Sequence, residues 1–468
     1  MKNQTVAEND TDFPASAKLP ASARVVVIGG GAVGCSVLYH LAEMGWTDCV
    51  LLEKNELTSG STWHAAGNCP NFVGSWTMMK IQSYSTELYR KLGDFVNYPM
   101  NYHVTGAIRL AHSRQRMEEF RHVQAMGRHM GVELEEMSNS DMQAIYPFLE
   151  THDLYGGQFD PLDGDIDPAQ LTQALAKGAR DLGAKIIRFC PVMAVEWLGD
   201  EWKITTPNGE IRAEYVVNAA GYRAGELGKM FGRDVPCVSL AHQYLITEPI
   251  AELTARDEKL PLIRDPDSSY YLRQEKDGLL LGPYEKNCRA HWLSSDDPMP
   301  DDFSFQLYND DLERLEWYIE DACARVPILG TAGITRVVNG PIPYTPDGLP
   351  LIGPMPGVPN AFEACVFTFG IVQAGGAGKL LAEIIIEGEA ESDSWAVDPR
   401  RFTDHVDTAY TAAKAIETYS HEYAMHFPQI QWPAGRKSKY SPLYDRLAAA
   451  GAEFGSYGGW ERADWFPA

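Results

Sequence analysis

The chain has 468 residues, 45% hydrophobic and 22% charged, a globular composition long enough for two large domains or about three smaller ones. Its 64 acidic and 40 basic side chains leave a formal charge of -24 and a pI near 4.9, which makes nucleic acid and anionic membranes poor partners. Eight dispersed cysteines with no C-x-x-C pair argue against a disulfide or metal framework and fit a reduced, cytoplasmic protein with no metal site.

In chain order, residues 1–22 carry acidic side chains and no apolar core. They have the features of neither a signal nor a transit peptide and are expected to form a flexible tail. The apolar run at 23–33 is too short and glycine-rich to span a membrane, so no membrane insertion is expected.

Arg24-Val-Val-Val-Ile-Gly-Gly-Gly-Ala-Val-Gly34 takes an apolar strand into Gly29-x-Gly31-x-x-Gly34, and Glu53 follows a second apolar strand, Val50-Leu-Leu52. That order predicts a βαβ unit wrapped around a dinucleotide. Gly29 permits the tight turn, Gly31 lets the backbone approach a pyrophosphate, and Gly34 lets a helix over 32–44 pack closely on the strands. Glu53 is expected to accept hydrogen bonds from the ribose hydroxyls, its charge disfavouring a 2′-phosphate.

Helical periodicity recurs at 76–92, 113–130 and 168–182, followed by extended runs at 185–188, 192–197, 202–205 and 214–218. The last run ends at Ala219-Ala-Gly221, where Ala220 and Gly221 suit close backbone approach to the nucleotide. A Tyr-, Leu- and Ile-rich stretch over 240–285 predicts an antiparallel sheet in a second domain. Asn339-Gly-Pro-Ile-Pro-Tyr-Thr-Pro-Asp-Gly-Leu-Pro-Leu-Ile-Gly-Pro354 reads as a rigid loop leading to a small strand, with Asp347 and Gly348 as cofactor contacts. Phe369-Gly-Ile-Val-Gln-Ala-Gly-Gly-Ala-Gly-Lys379 is expected to open a helix over 380–386, Gly370 and Ile371 presenting backbone to a ligand.

A nucleotide turn near one end and a helix start far downstream point to a flavin enzyme whose cofactor domain is assembled from separate pieces. The expected fold mixes α/β and α+β. Residues 23–95, 161–235 and 336–395 form a Rossmann-like FAD-binding domain, and 96–160 and 236–335 an antiparallel-sheet substrate domain. A C-terminal extension over 396–468 is expected to serve as a subunit interface, with a homo-oligomer as one outcome.

Four segments, Leu57-Thr-Ser-Gly-Ser-Thr-Trp-His-Ala-Ala-Gly67, Ala241-His-Gln-Tyr-Leu-Ile-Thr-Glu-Pro249, Asn339 to Gly353, and Gly370 to Lys379, occur in one order along the chain. In that order they resemble the dimethylglycine/sarcosine dehydrogenase family, within the D-amino-acid-oxidase-like FAD enzymes. The resemblance extends from Arg24 over nearly the whole chain. It implies FAD held through an 8α-histidyl bond to His64, with Ser61 and Thr62 either contacting the cofactor or capping local structure. It also implies that His242 and Tyr270, with the adjacent Tyr271 as the immediate alternative, stand near the flavin and hold the substrate amine unprotonated, with Arg273 as a further pocket residue. Neighbouring strand residues point oppositely, so only one tyrosine enters the pocket and the sequence leaves the choice open.

The reaction implied is oxidative N-demethylation of a secondary or tertiary methylated amine or amino acid, giving the demethylated amine and formaldehyde through an iminium. Cys365-Val-Phe-Thr-Phe-Gly-Ile371 and Asn339-Gly-Pro-Ile-Pro-Tyr344 depart from the family's commoner sequences, adding bulk and apolar surface that implies a larger or less acidic substrate than dimethylglycine. His421 to Pro428, Tyr440 to Arg446 and Gly459 to Phe466 resemble the connector into the folate-binding half of longer relatives. A separate folate-binding or electron-transfer protein is therefore an expected partner. Two alternatives stand beside this reading: a flavin-bearing subunit of a larger amine dehydrogenase, and an oxidase of a larger cyclic or secondary amine.

Overall fold

The strand Ser22–Ile28 is the spine of the first sheet, paired in parallel with Cys49–Leu52 on one side and Gly209–Asn218 on the other. A computed structural model describes residues 18–427 and 430–467. The expected N-terminal tail lies, through residue 17, outside the described residues. Both faces of the central strands are covered, which is why they read as continuous apolar runs. Val25, Val27 and Leu51 enter one core, while Val26, Ile28, Val50 and Leu52 enter another across the sheet. Lys185–Ile187 closes one edge, an antiparallel ribbon of Ala194–Trp197 and Trp202–Thr206 the other, and Ala361–Cys365 joins Gly209–Asn218 in parallel.

Four helices cover the first of these faces: Ala32–Glu43, Trp76–Phe95, Pro168–Asp181 and Gly370–Glu387. The last begins at Gly370, ten residues before the expected start, so the glycine-rich segment is itself helix. Its glycines serve packing. A Cβ at Gly376 would lie 2.3 Å from the Ile81 carbonyl oxygen, and one at Gly378 would lie 2.3 Å from Ser36 Oγ, so only glycine lets this helix approach Trp76–Phe95 and Ala32–Glu43 this closely. Gly34 has the same role at the first turn, where a Cβ would meet the Gly29 carbonyl oxygen at 1.9 Å. Gly34→Ala is therefore expected to destabilise the fold by about 1–3 kcal/mol, the usual cost of overpacking, seen as a lower thermal unfolding midpoint. An unchanged midpoint would mean that the turn opens without cost.

A second sheet of nine strands carries the other half of the molecule. Val238–Thr247, Gly278–Pro283, Tyr270–Glu275, Leu262–Asp265, Ala107–Ala111 and Gly156–Asp160 lie side by side in it, antiparallel except for one parallel pair between Leu262–Asp265 and Ala107–Ala111. Ile334–Tyr344 pairs along almost the whole of Val238–Thr247. This corrects the expectation of a loop from Asn339 and of a cofactor-domain segment beginning at 336. Pro341 and Pro343 are tolerated because this strand is paired on one side, leaving their missing N–H groups on the free edge. Only the turn after Tyr344 is a loop; Leu351–Pro354 then returns to the first sheet.

Beyond the last nucleotide-domain helix, Thr408–Ser420 packs on the second sheet, with Ala412, Ala415 and Tyr419 joining Val238, Leu240 and Tyr271 in one apolar cluster. A three-stranded sheet of Lys439–Tyr440, Glu453–Tyr457 and Trp460–Trp465 follows, with Trp465 and Phe466 exposed. Among the described residues no helix is long and apolar enough to cross a membrane.

Candidate active site

A cavity of about 740 Å3 runs between the two sheets, from the glycine turn past His64 to His242. At its nucleotide end the helix Ala32–Glu43 starts at Gly31 with no side-chain cap on that residue and no acid in the first turn, an opening suited to a pyrophosphate. Thr62 Oγ1 accepts a hydrogen bond from Ala32 N at 3.2 Å, and Ser61 Oγ donates to the Pro341 carbonyl at 2.7 Å. Both residues line the cavity and tie the 61–64 turn to the nucleotide helix and the second sheet. Glu53 is anchored by Gly30 N at 2.6 Å and Asn55 N at 2.7 Å, and burial raises its carboxyl above the usual range. Each oxygen keeps a second lone pair for a ribose hydroxyl. Ala220, Gly221, Gly370 and Ile371 complete the wall, while Gly34 lies behind it in the helix packing.

His64 ends the short turn Ser61–His64, set edge-on to Trp63 with ring centroids 5.6 Å apart. The hydroxyl of Tyr244 donates to the His64 carbonyl at 3.1 Å. Its ring passes over the strand Ile334–Tyr344 at Gly340, where a Cβ would come within 2.6 Å of the imidazole. Its Nε2 is buried without a hydrogen-bond partner. Desolvation lowers its pKa to about 4, so the imidazole is neutral near neutral pH and a ring lone pair is available.

His242 faces the cavity from the strand Val238–Thr247. Its Nδ1 lies 2.8 Å from Tyr419 Oη and its Nε2 3.3 Å from Tyr271 Oη, with the Tyr284 ring 5.0 Å away. Desolvation, followed by the neighbouring His64 and Arg314, lowers its pKa to about 3. Tyr271 is the inward tyrosine. It pairs in register with Gly282, where a Cβ would strike its ring at 2.2 Å, so the glycine makes the space it occupies. Tyr270 is corrected out of the site: it points to the opposite face and is fully buried in the core with Leu272, Leu279 and Leu281.

Two further expectations need correction. Asp347 and Gly348 do not line the cavity, because Asp347 is bound to Arg401 at 2.8 and 3.0 Å and to the amide of Leu349, closing the turn after Tyr344. Arg273 likewise stays out, its Nη2 donating to the Ala66 carbonyl at 2.7 Å and its Nη1 to Glu275 at 2.6 Å. Sequence reasoning missed Tyr284, Tyr423, Phe367 and Arg264, all of which line the cavity. Arg264 is buried in an ion pair with Asp163, giving the substrate end a cation in a strongly acidic chain.

The glycine turn, the helix start at Gly31 and the anchored Glu53 fit the phosphates and ribose of a dinucleotide, and the cavity continues far enough to reach a partnerless imidazole nitrogen. Such a site between a nucleotide sheet and an antiparallel sheet defines an FAD-dependent oxidoreductase. The chain belongs to the FAD dependent oxidoreductase family, whose model matches residues 24–384, and the FAD dependent oxidoreductase central domain matches 387–441. It is related to the dimethylglycine and sarcosine dehydrogenases. Human mitochondrial dimethylglycine dehydrogenase is 41% identical over 95% of this chain and 52% of its own length. The 4-methylaminobutanoate oxidase (formaldehyde-forming) of Paenarthrobacter nicotinovorans is 34% identical over 96% of this chain and 54% of its own. The chain thus spans about half the length of these relatives. The solved L-proline dehydrogenase of P. horikoshii superposes with a TM-score of 0.72 at 25% identity, over 82% of this chain and 98% of that one.

Proposed function

We propose that the chain oxidises an N-methylated amine or amino acid with FAD attached to His64, releasing the demethylated amine and formaldehyde. The observation that carries this reading is one cavity joining a dinucleotide cradle, a neutral partnerless His64 and the His242–Tyr271 pair. The names of the related dehydrogenases and of the formaldehyde-forming oxidase support it. A flavin held there would supply the hydride acceptor for oxidising the carbon beside the substrate nitrogen, and water would hydrolyse the resulting substrate iminium.

The chain's own residues do the rest. Gly31, Thr62 and Glu53 hold the nucleotide end, and the neutral His64 supplies the nucleophilic nitrogen for attachment. Tyr271 and His242 orient the amine and take its proton, since an ammonium has no lone pair to assist carbon–hydrogen cleavage. Phe367, Phe369 and Tyr284 wall off water and give the substrate end an apolar surface. That surface fits an N-methyl substrate bulkier than dimethylglycine, the charge of Arg264 being already paired with Asp163.

Purified protein given a methylated amine and a flavin reoxidant is expected to release formaldehyde and demethylated amine in equal amounts, with or without tetrahydrofolate. Amine consumption without formaldehyde would move oxidation to another carbon–nitrogen bond and overturn the N-demethylation reading.

A further inference from the structure

The His242–Tyr271 pair does not end at the cavity wall. Behind His242, Tyr419 is fully buried and its hydroxyl donates to Glu285 Oε2. Glu285 is 1% exposed, and its other oxygen has no hydrogen-bond partner but faces Arg314 Nη1 at 3.8 Å. Arg314 Nε in turn donates to Asp311 at 2.9 Å. Arg314 and Asp311 line a second pocket, which the exposed Arg289, Asp310 and Glu313 open to the surface. Glu285 is thus a carboxylate deep in the protein, held by Tyr419 on one side and facing Arg314, a lining residue of the second pocket, on the other.

We propose that Tyr271, His242, Tyr419 and Glu285 form a proton relay that takes the ammonium proton of the substrate out of the active-site cavity toward the second pocket. The proposal rests on the amine-oxidising reading above. The hydrogen bonds already run one way. Because the Tyr419 proton is committed to Glu285, His242 Nδ1–H donates to Tyr419 Oη, which leaves His242 Nε2 to accept from the Tyr271 hydroxyl. In the transfer, the substrate N–H bond breaks as a new O–H forms on Tyr271. The Tyr271 proton moves to His242 Nε2, the Nδ1 proton to Tyr419 Oη, and the Tyr419 proton to Glu285 Oε2. The products are a neutral amine and a neutral Glu285 carboxylic acid, with the opposite His242 tautomer. Arg314 and Asp311 then stand between Glu285 and solvent for its release.

The titrating behaviour of these groups suits their places. Glu285 is faced by Tyr419, Arg314, Tyr318, Cys288 and Tyr271, and burial raises its carboxyl above the usual range despite the Tyr419 hydrogen bond and Arg314. Burial also raises those tyrosines and Cys288, which keeps them neutral near neutral pH. His242, held low, passes a proton without storing one. Above its pKa Glu285 is an open acceptor, and below it the relay is full.

The test uses the holoenzyme, anaerobic mixing with an N-methyl amino acid across pH, and an indicator dye that follows proton release beside flavin bleaching. Tyr419→Phe and Glu285→Gln are expected to slow bleaching about 10²-fold near neutral pH, the lower end of what proton transfer contributes. Proton release should slow in step, and the deficit should close above the pKa of the substrate, where the free amine needs no acceptor. Tyr344→Phe removes the neighbouring buried tyrosine–carboxylate bond, to Glu422, and should change neither signal. Should Tyr419→Phe fold poorly, Glu285→Gln carries the same readouts. Wild-type pH profiles in the variants, a deficit equal at every pH, or the same deficit in Tyr344→Phe would overturn the relay. A wild-type flavin that no N-methyl amine bleaches overturns the amine reading itself, and the relay with it.

Discussion

Acid-precipitated protein is expected to stay yellow, and a proteolytic peptide containing His64 to carry the added mass of one FAD. The chemical reason is a neutral imidazole with a free nitrogen at the cavity wall: His64 is lowered to about 4 by burial, and its Nε2 has no hydrogen-bond partner. The positional reason is the strand beneath it, since Gly340 leaves room for the ring and the Tyr244 hydroxyl fixes the His64 carbonyl. In His64→Ala the glycine turn and Glu53 remain, so FAD should still bind, but essentially all of it should pass into the acid supernatant. Turnover should fall as well, because attachment makes a flavin more oxidising. Gly340→Ala places a methyl against the ring and should reduce the covalent fraction without touching the nucleotide end. Attachment needs the neutral imidazole, so its rate should hold through neutral pH and fail only as pH drops toward about 4. Wild-type protein that surrenders all its flavin to acid would sink the attachment, though not FAD binding.

The nucleotide half was legible because its signals are local. A strand, Gly29-x-Gly31-x-x-Gly34, a helix and Glu53 follow one another within about thirty residues, and the structure folds them as the expected strand, turn, helix and strand. What was misread depends on pairing across the chain. The prolines at 341 and 343 look like loop residues until the strand is known to be an edge. The glycines at 376 and 378 look like a ligand-binding loop until the helices they touch, at Ile81 and Ser36, are in place. Asp347 and Gly348 had turn chemistry, which is what they perform. Tyr423 and Tyr419 could not be placed beside His242 and Tyr271 from sequence, because they come from a C-terminal helix and its exit, more than a hundred residues beyond the strands that carry that pair. The choice between Tyr270 and Tyr271 had a signal in Gly282, but reading it requires the antiparallel register that sets the glycine opposite Tyr271.

That register makes the last prediction sharp. His242→Ala and Tyr271→Phe are each expected to slow anaerobic flavin reduction by about 10²- to 10⁴-fold, the range of a lost acid–base group, while FAD content stays at the wild-type level. The two need not add, since Tyr271 Oη and His242 Nε2 lie 3.3 Å apart and act on one proton. Apparent affinity should change less than the limiting rate, because an interaction made chiefly in the transition state lowers the rate constant, whereas uniform binding loss raises the apparent dissociation constant. Tyr270→Phe is the internal control: one residue away, on the opposite face among Leu272, Leu279 and Leu281, it should leave reduction kinetics close to wild type and change only stability. Gly282→Ala should resemble Tyr271→Phe, although the new methyl touches no substrate, because it evicts the ring from the space it needs. Equal slowing by Tyr270→Phe and Tyr271→Phe would mean that both act through packing of the sheet rather than through a hydroxyl in the cavity. Unchanged reduction in His242→Ala and Tyr271→Phe together would remove the pair from the chemistry altogether.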